Sequence, residues 1–306
     1  MQKNSTPHAG KPEQVIEELR PGQSIELLKE LHILTREGKL NQDTRRKLKQ
    51  VYHLYQFIEP LLNEVNEVSA SGKSFTLADH GAGKSYLGFI LYDLFFNVAH
   101  AGQPPTGHIY GIETRAELVE KSRALATRLG FANMSFLNLS VQEATTSVDL
   151  PATVDIVTAL HACDTATDDA MAFGLAKQAR HMVLVPCCQA EVAGVLKKHR
   201  ALNLNKSPLA ELWRHPLHTR EFGSQITNVL RCLQLEANGY QVTVTELVGW
   251  EHSMKNELIL ASRPAAPSTH KTRAAQTRLQ QVLDELGLQD LTMRFAVAGL
   301  DGADRL

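Results

Sequence analysis

The sequence predicts an α/β protein: a doubly wound, mostly parallel seven-stranded sheet with an antiparallel last strand, preceded by N-terminal helices. Three observations predict it. From Ser74 onward, short apolar runs alternate with runs of helical periodicity. A glycine turn, Asp79-His80-Gly81-Ala82-Gly83, directly follows the first apolar run. The last two apolar runs are separated only by a short turn, so they close as an antiparallel hairpin rather than as another βα unit.

Residues 1–22 are polar, carry Pro7, Pro12 and Pro21, and read as poorly ordered. A helical appendage spans 23–70, with one helix at 24–36 and a longer one at 43–68. In the longer one Leu48, Val51, Leu54, Tyr55, Ile58, Leu61, Leu62 and Val65 recur at helical spacing, and Pro60 is expected to kink it. The main domain spans 71–263. Its strands are expected at 75–78, 108–112, 134–139, 154–160, 181–185, 241–247 and 258–261, and its helices at 84–100, 114–129, 167–179 and 220–238. Residues 190–220 read as an irregular insertion. Pro264-Ala-Ala-Pro267 opens a linker-like tail over 264–306, with one helix at 271–286.

Composition narrows the function classes. The net charge is −1, so no global positive field demands nucleic acid or an anionic membrane, although a local patch would suffice. No apolar run approaches the roughly 18 residues of a membrane span, and the first ten residues have no apolar signal core. Cys163, Cys187, Cys188 and Cys232 form no C-x-x-C pair, so neither a disulfide framework nor a metal site is expected. Reduced thiols in a cytoplasmic protein are the simplest reading.

The segment 75–85, Phe-Thr-Leu-Ala-Asp-His-Gly-Ala-Gly-Lys-Ser, reads two ways. As a strand ending in Asp-x-Gly-x-Gly it resembles the first motif of S-adenosyl-L-methionine (SAM) methyltransferases. As Ala78-x-x-x-x-Gly-Lys-Ser85 it nearly matches a phosphate-binding P-loop. Gly81 and Gly83 let the backbone turn tightly and approach a ligand, and Asp79 would meet the methionine ammonium. Glu113, at the end of the second strand, can accept both ribose hydroxyls. A P-loop would place Asp79 beside phosphates, where it repels them, and no apolar strand ends in the acidic pair expected for ATP hydrolysis. SAM is therefore favoured; a P-loop nucleotide hydrolase and a non-catalytic SAM-fold binding protein remain the alternatives.

Two further clusters carry a family resemblance. One runs over 154–168 and contains Leu160-His161-Ala162-Cys163-Asp164-Thr165-Ala166-Thr167-Asp168; the other ends in Pro186-Cys187-Cys188-Gln189. With the glycine turn, and with the basic stretch 45–50 ahead of it, they resemble the class I methyltransferase domain of the glutathione S-transferase C-terminal domain-containing protein. More loosely, they resemble the CHHC-zinc-finger tRNA 2′-O-methyltransferases. Asp164 stands where those families have Gly, and no CHHC finger is present. The resemblance implies a Rossmann-like methyltransferase fold, SAM as cofactor and RNA (tRNA or rRNA) as the leading acceptor. Ser140 occupies the place where many class I enzymes put an acidic residue for the adenine amine, so Ser140 or Gln142 is expected there.

Both clusters follow strands and are expected to open on the cofactor side. Methyl transfer from a sulfonium rests mainly on positioning, and a base is needed only when the acceptor must lose a proton. His161 is the candidate base, with packing under the loop as the alternative. Asp164 could orient His161 or bind the acceptor, and Gln189 is a polar contact for it. Thr167 is expected to cap the following helix, and the cysteines are expected to pack. Lys197, Lys198, His199, Arg200, Lys206, Trp213, Arg214, His215 and Arg220 in the insertion could contact RNA or form a solvated face.

Overall fold

The structure, a computed structural model, describes residues 17–69, 74–160, 164–186, 189–199, 211–212, 214–247 and 257–297. Two helices, α1 (Ile25–Glu30) and α2 (Gln42–Ser69), precede the sheet. Strands and helices then alternate as β1 (Phe75–His80), α3 (Tyr86–Tyr92), β2 (Gly107–Ile112), α4 (Ala116–Leu129), β3 (Met134–Leu137), α5 (Val141–Thr146) and β4 (Ile156–Leu160). There follow α6 (Ala166–Ala176), β5 (His181–Val185), α7 (Glu191–His199), α8 (Pro216–Ala237), β6 (Gln241–Glu246), β7 (Glu257–Ser262) and α9 (Thr269–Glu285). The seven strands form one sheet in the order β3-β2-β1-β4-β5-β7-β6. β1 to β5 run parallel, and β7 pairs antiparallel with both β5 and β6.

Strand β1 shows how one sequence serves two layers, because its side chains alternate between faces. Phe75 and Leu77 join a core with α1 to α4, including Leu28, Leu54, Ile58, Phe89 and Phe95. Ala78 joins a second core with Met171 and Phe173 of α6 and Leu235 of α8. The N-terminal helices are thus built into the first core. Residues 17–22 are laid down with them: Leu19 packs on that core, and the Arg20 guanidinium sits over the rings of Tyr52 and Tyr55.

Three differences from the sequence reading have physical causes. The expected helix over 84–100 is α-helical only to Tyr92 and widens into a π-helix over Asp93–Ala99; these turns carry the buried Asp93, whose carboxylate accepts the Ser24 N–H. The N-cap of α6 is Thr165, not Thr167, which is buried inside the helix. The insertion 190–220 is not irregular throughout. Residues 191–199 form α7, because Val192 and Leu196, four apart, bury one face against Leu230 of α8 and Leu279 and Leu283 of α9. Among the described residues no helix is long and apolar enough to cross a membrane.

Candidate active site

In an open parallel sheet a ligand binds beyond the carboxyl ends of the strands, where the strand order reverses. Here the reversal lies between β1 and β4, and Asp79 sits on that seam, opposite Thr158. The Asp79 carboxylate is 2% exposed and accepts the Thr158 hydroxyl at 2.8 Å. Burial pushes its carboxyl up to about 6; hydrogen bonds from Thr158 and the Gly88 backbone oppose that, and no cation among the described residues helps. A buried carboxylate lacking a cation fits an ammonium group.

The turn after β1 needs its glycines. Gly81 and Gly83 have φ of +64° and +58°, values in the left-handed region that favours glycine. The turn's own N–H groups are taken by protein: Ala82 N donates to Ile112 O at 3.0 Å, Gly83 N to Glu113 Oε2 at 2.8 Å, and Ser85 N to Ala82 O at 2.7 Å. With these three N–H groups engaged, Ala82, Gly83 and Ser85 do not form a run of free donors for a phosphate. Ser85 is buried, its Oγ directed at the space a Cβ on Gly88 or Gly111 would fill, which is no place for a magnesium ligand. The P-loop reading loses its geometry.

Glu113 ends β2 beside this turn. Oε1 accepts the Arg115 N–H and Nε at 3.0 Å each, and Oε2 accepts Gly83 N at 2.8 Å and Arg115 Nη2 at 3.1 Å. Burial raises this carboxyl, but the Arg115 and Gly83 donors outweigh it and bring it down to about 2. It is therefore ionised at any physiological pH. The Arg115 side chain is 62% exposed, so its guanidinium is free to yield its place to a competing donor. After β3, Ser140 caps α5: its Oγ accepts the Glu143 N–H while the Glu143 carboxylate accepts the Ser140 N–H. Gln142 lies exposed in the first turn of α5.

On the acceptor side, His161, Cys163, Cys187 and Cys188 lie outside the described residues. Asp164 has φ of +52°, and its Oδ1 accepts the Ala190 N–H at 3.0 Å, tying the loop after β4 to the loop after β5. Gln189 is buried and donates to Asn228. Cys232 packs against the second core, and burial pushes its thiol up to about 12, away from any nucleophilic role. In the insertion Arg200, Lys206 and Trp213 are outside the described residues. Arg214 pairs with Glu211 and Arg220 with Glu221, which neutralises those two charges.

Two buried groups were not foreseen. His80 is 6% exposed, packs its ring 5.2 Å from that of Phe173, and its Nε2 has no hydrogen-bond partner among the described residues. Burial lowers its imidazole to about 4, with Glu113 opposing, so it is neutral at physiological pH. Arg231 forms a buried ion pair with Asp168 at 2.8 Å. Nothing near Arg231 in sequence announces its burial. The one legible signal was the imidazole inside the glycine-turn motif.

The seven-stranded sheet with antiparallel β7, the glycine turn at its reversal point and a family match over residues 46–195 together make the chain a SAM-dependent methyltransferase, with SAM as its cofactor. Residues 46–195 match the sequence model of a family described as a methyltransferase domain. No curated protein matches the chain. Among solved structures, a SAM-dependent methyltransferase from Aquifex aeolicus is 18% identical, with 65% of this chain and 87% of that one covered and a TM-score of 0.35. Magnesium protoporphyrin IX methyltransferase from Synechocystis PCC 6803, solved with bound SAH, is 14% identical over 78% and 93%, with a TM-score of 0.40. An rRNA methylase from Streptococcus thermophilus is 8% identical over 65% and 94%, with a TM-score of 0.37.

Proposed function

We propose that this methyltransferase modifies RNA in the cytoplasm, with the cofactor held at the β1–β2 end of the site and the acceptor met by the loops after β4 and β5. Asp79 would hold the methionine ammonium, and Gly81 and Gly83 give the backbone room to approach. Glu113 would accept the ribose hydroxyls once Arg115 swings away, and Ser140 or Gln142 would lie beside the adenine. Bound SAM supplies an electrophilic methyl group on a sulfonium. His161, Asp164 and Gln189 would face the acceptor, with His161 taking a proton where the acceptor has one to lose. The observation that carries this reading is the buried Asp79 carboxylate, without a cation, on the seam where the strand order reverses.

RNA is supported by the likeness of the 161–168 and 186–189 stretches to the glutathione S-transferase C-terminal domain-containing protein and the tRNA 2′-O-methyltransferases, an argument from analogy. Lys197 and Lys198 on α7 add positive charge near the acceptor loops. The test is calorimetry with SAM and with Mg·ATP, followed by transfer of labelled methyl from SAM to fractionated cell extract. SAM binding without ATP binding, and label in the RNA fraction, are expected. Binding of ATP but not SAM sinks the cofactor assignment; label only in protein or metabolite fractions sinks RNA. SAM binding with no transfer to any fraction favours a non-catalytic binding protein.

A further inference from the structure

Gln189, two residues ahead of α7, is 5% exposed, and its Oε1 is buried with no hydrogen-bond partner among the described residues. The way this amide points is dictated from beneath. Arg231, 1% exposed, spends Nε and Nη2 on the two carboxylate oxygens of Asp168, each at 2.8 Å, and Nη2 also reaches the Asp164 carbonyl at 2.8 Å. Its Nη1 meets Asn228 at 3.2 Å, and because a guanidinium only donates, the atom it meets is the Asn228 oxygen. The Asn228 NH2 therefore turns to Glu257 Oε2, 2.7 Å away. Gln189 approaches that same Asn228 oxygen at 2.6 Å and the Ser224 carbonyl at 3.4 Å. Both are acceptors, so Gln189 must present its NH2 to them and keep its oxygen on the other side. Turning the amide over would face oxygen against oxygen.

A buried acceptor left unpaired costs stability, and native structures carry few of them. We propose that Gln189 Oε1 is a recognition point for the methyl acceptor, receiving a hydrogen bond from an N–H or O–H of that molecule. Arg231, Asp168 and Asn228 are positioning residues that hold the oxygen in its orientation. The inference rests on the methyltransferase reading and deepens it: the acceptor carries a polar hydrogen on its methylated atom. Asp164 belongs to the same arrangement, since its carbonyl is held by Arg231 and its carboxylate by Ala190 N, which locks the two acceptor loops together. Exocyclic amines and sugar hydroxyls both meet this requirement. An amide oxygen orients either one but deprotonates neither.

Gln189→Met separates recognition from packing. It removes the oxygen while leaving the Asn228 oxygen its bond to Arg231, so no buried group loses its last partner. The expected result is S-adenosylhomocysteine affinity within about threefold of wild type, an unchanged or higher Tm, and transfer from SAM to the labelled extract fraction reduced by about tenfold or more. Transfer equal to wild type, or a clear fall in Tm, overturns the inference. Arg231→Lys lowers Tm under any reading, so its diagnostic is a raised KM for the acceptor fraction with S-adenosylhomocysteine affinity unchanged; an unchanged acceptor KM overturns the positioning role. Digestion of the labelled product distinguishes N-methyl from O-methyl groups, and a C-methyl product, whose carbon offers no such donor, counts against the proposal. Failure of the wild type to bind S-adenosylhomocysteine sinks the methyltransferase reading instead. If the wild type binds it but labels nothing, the Tm arm decides, a fall in Gln189→Met marking a packing residue and a rise an oxygen the fold itself does not use.

Discussion

Asp79 illustrates a residue kept for a ligand at the expense of the fold. Its carboxyl rises in the folded protein to about 6, above the value near 4 of an unfolded chain. An acid whose pKa is raised by folding is destabilising when ionised, so the cost is full above pH 6, shrinks as pH falls, and is gone below about 4, where both states hold the proton. Asp79→Asn, which can still accept from Thr158, is expected to stabilise the protein by about 1–3 kcal/mol at pH 8 and by almost nothing near pH 4. Urea unfolding at the two pH values checks this. The same substitution should weaken S-adenosylhomocysteine binding. In the wild type that affinity should fall by up to about tenfold per pH unit below 6, as the carboxylate an ammonium requires is lost; a flat calorimetric profile from pH 5 to 7 would contradict it.

At the scale of single elements, α5 is the clearest case of local chemistry deciding a boundary. It is six residues long and starts at a reciprocal cap between Ser140 and Glu143. Ser140→Ala should cost about 0.5–2 kcal/mol and Ser140→Gly only a few tenths. If Ser140 served adenine alone, both substitutions would weaken S-adenosylhomocysteine binding without that graded loss of stability; thermal unfolding beside calorimetry separates the two roles. The capping box is present in the sequence as Ser-x-x-Glu, although the sequence reading gives Ser140 and Gln142 only as adenine contacts. Strands were more legible than short helices. A fully buried strand such as β5 is apolar from Met182 to Val185, and its ends are marked by Arg180 and Pro186. Helix α7 shows only two fully buried apolar positions, and the residues that give it a partner lie in α8 and α9.

Across the whole molecule, residues 269–297 pack onto the methyltransferase domain. Leu279, Leu283, Leu288, Leu291 and Phe295 form a third core with α7 and α8, and Arg294 pairs with Glu191 at 3.2 Å while its carbonyl accepts from Gln234. Leu283→Ala should cost about 2–5 kcal/mol, read from the denaturant midpoint at unchanged slope. A cost under about 0.5 kcal/mol, typical of surface positions, would mean that this core is not formed. The long-range partnerships explain what the sequence could not show. Asp79, Gly81, Gly83 and Glu113 could be singled out in the sequence because each lies at or just after the end of an apolar run with a motif around it. Arg231 and Asn228 were not, because a helix face full of polar residues does not say which of them is buried until α6, β7 and the loop after β5 are brought together.

The placement of β7 between β5 and β6 also sets an order of events during synthesis. When β6 leaves the ribosome its only future neighbour has not been made, and the outer edge of β5 is still open. Neither edge can close until residue 262 has emerged, so the five finished strands wait with β5, apolar from Met182 to Val185, at their border. A chain interrupted before β7 would not be a smaller enzyme but a sheet with a free edge, and its expected fate is association with another copy.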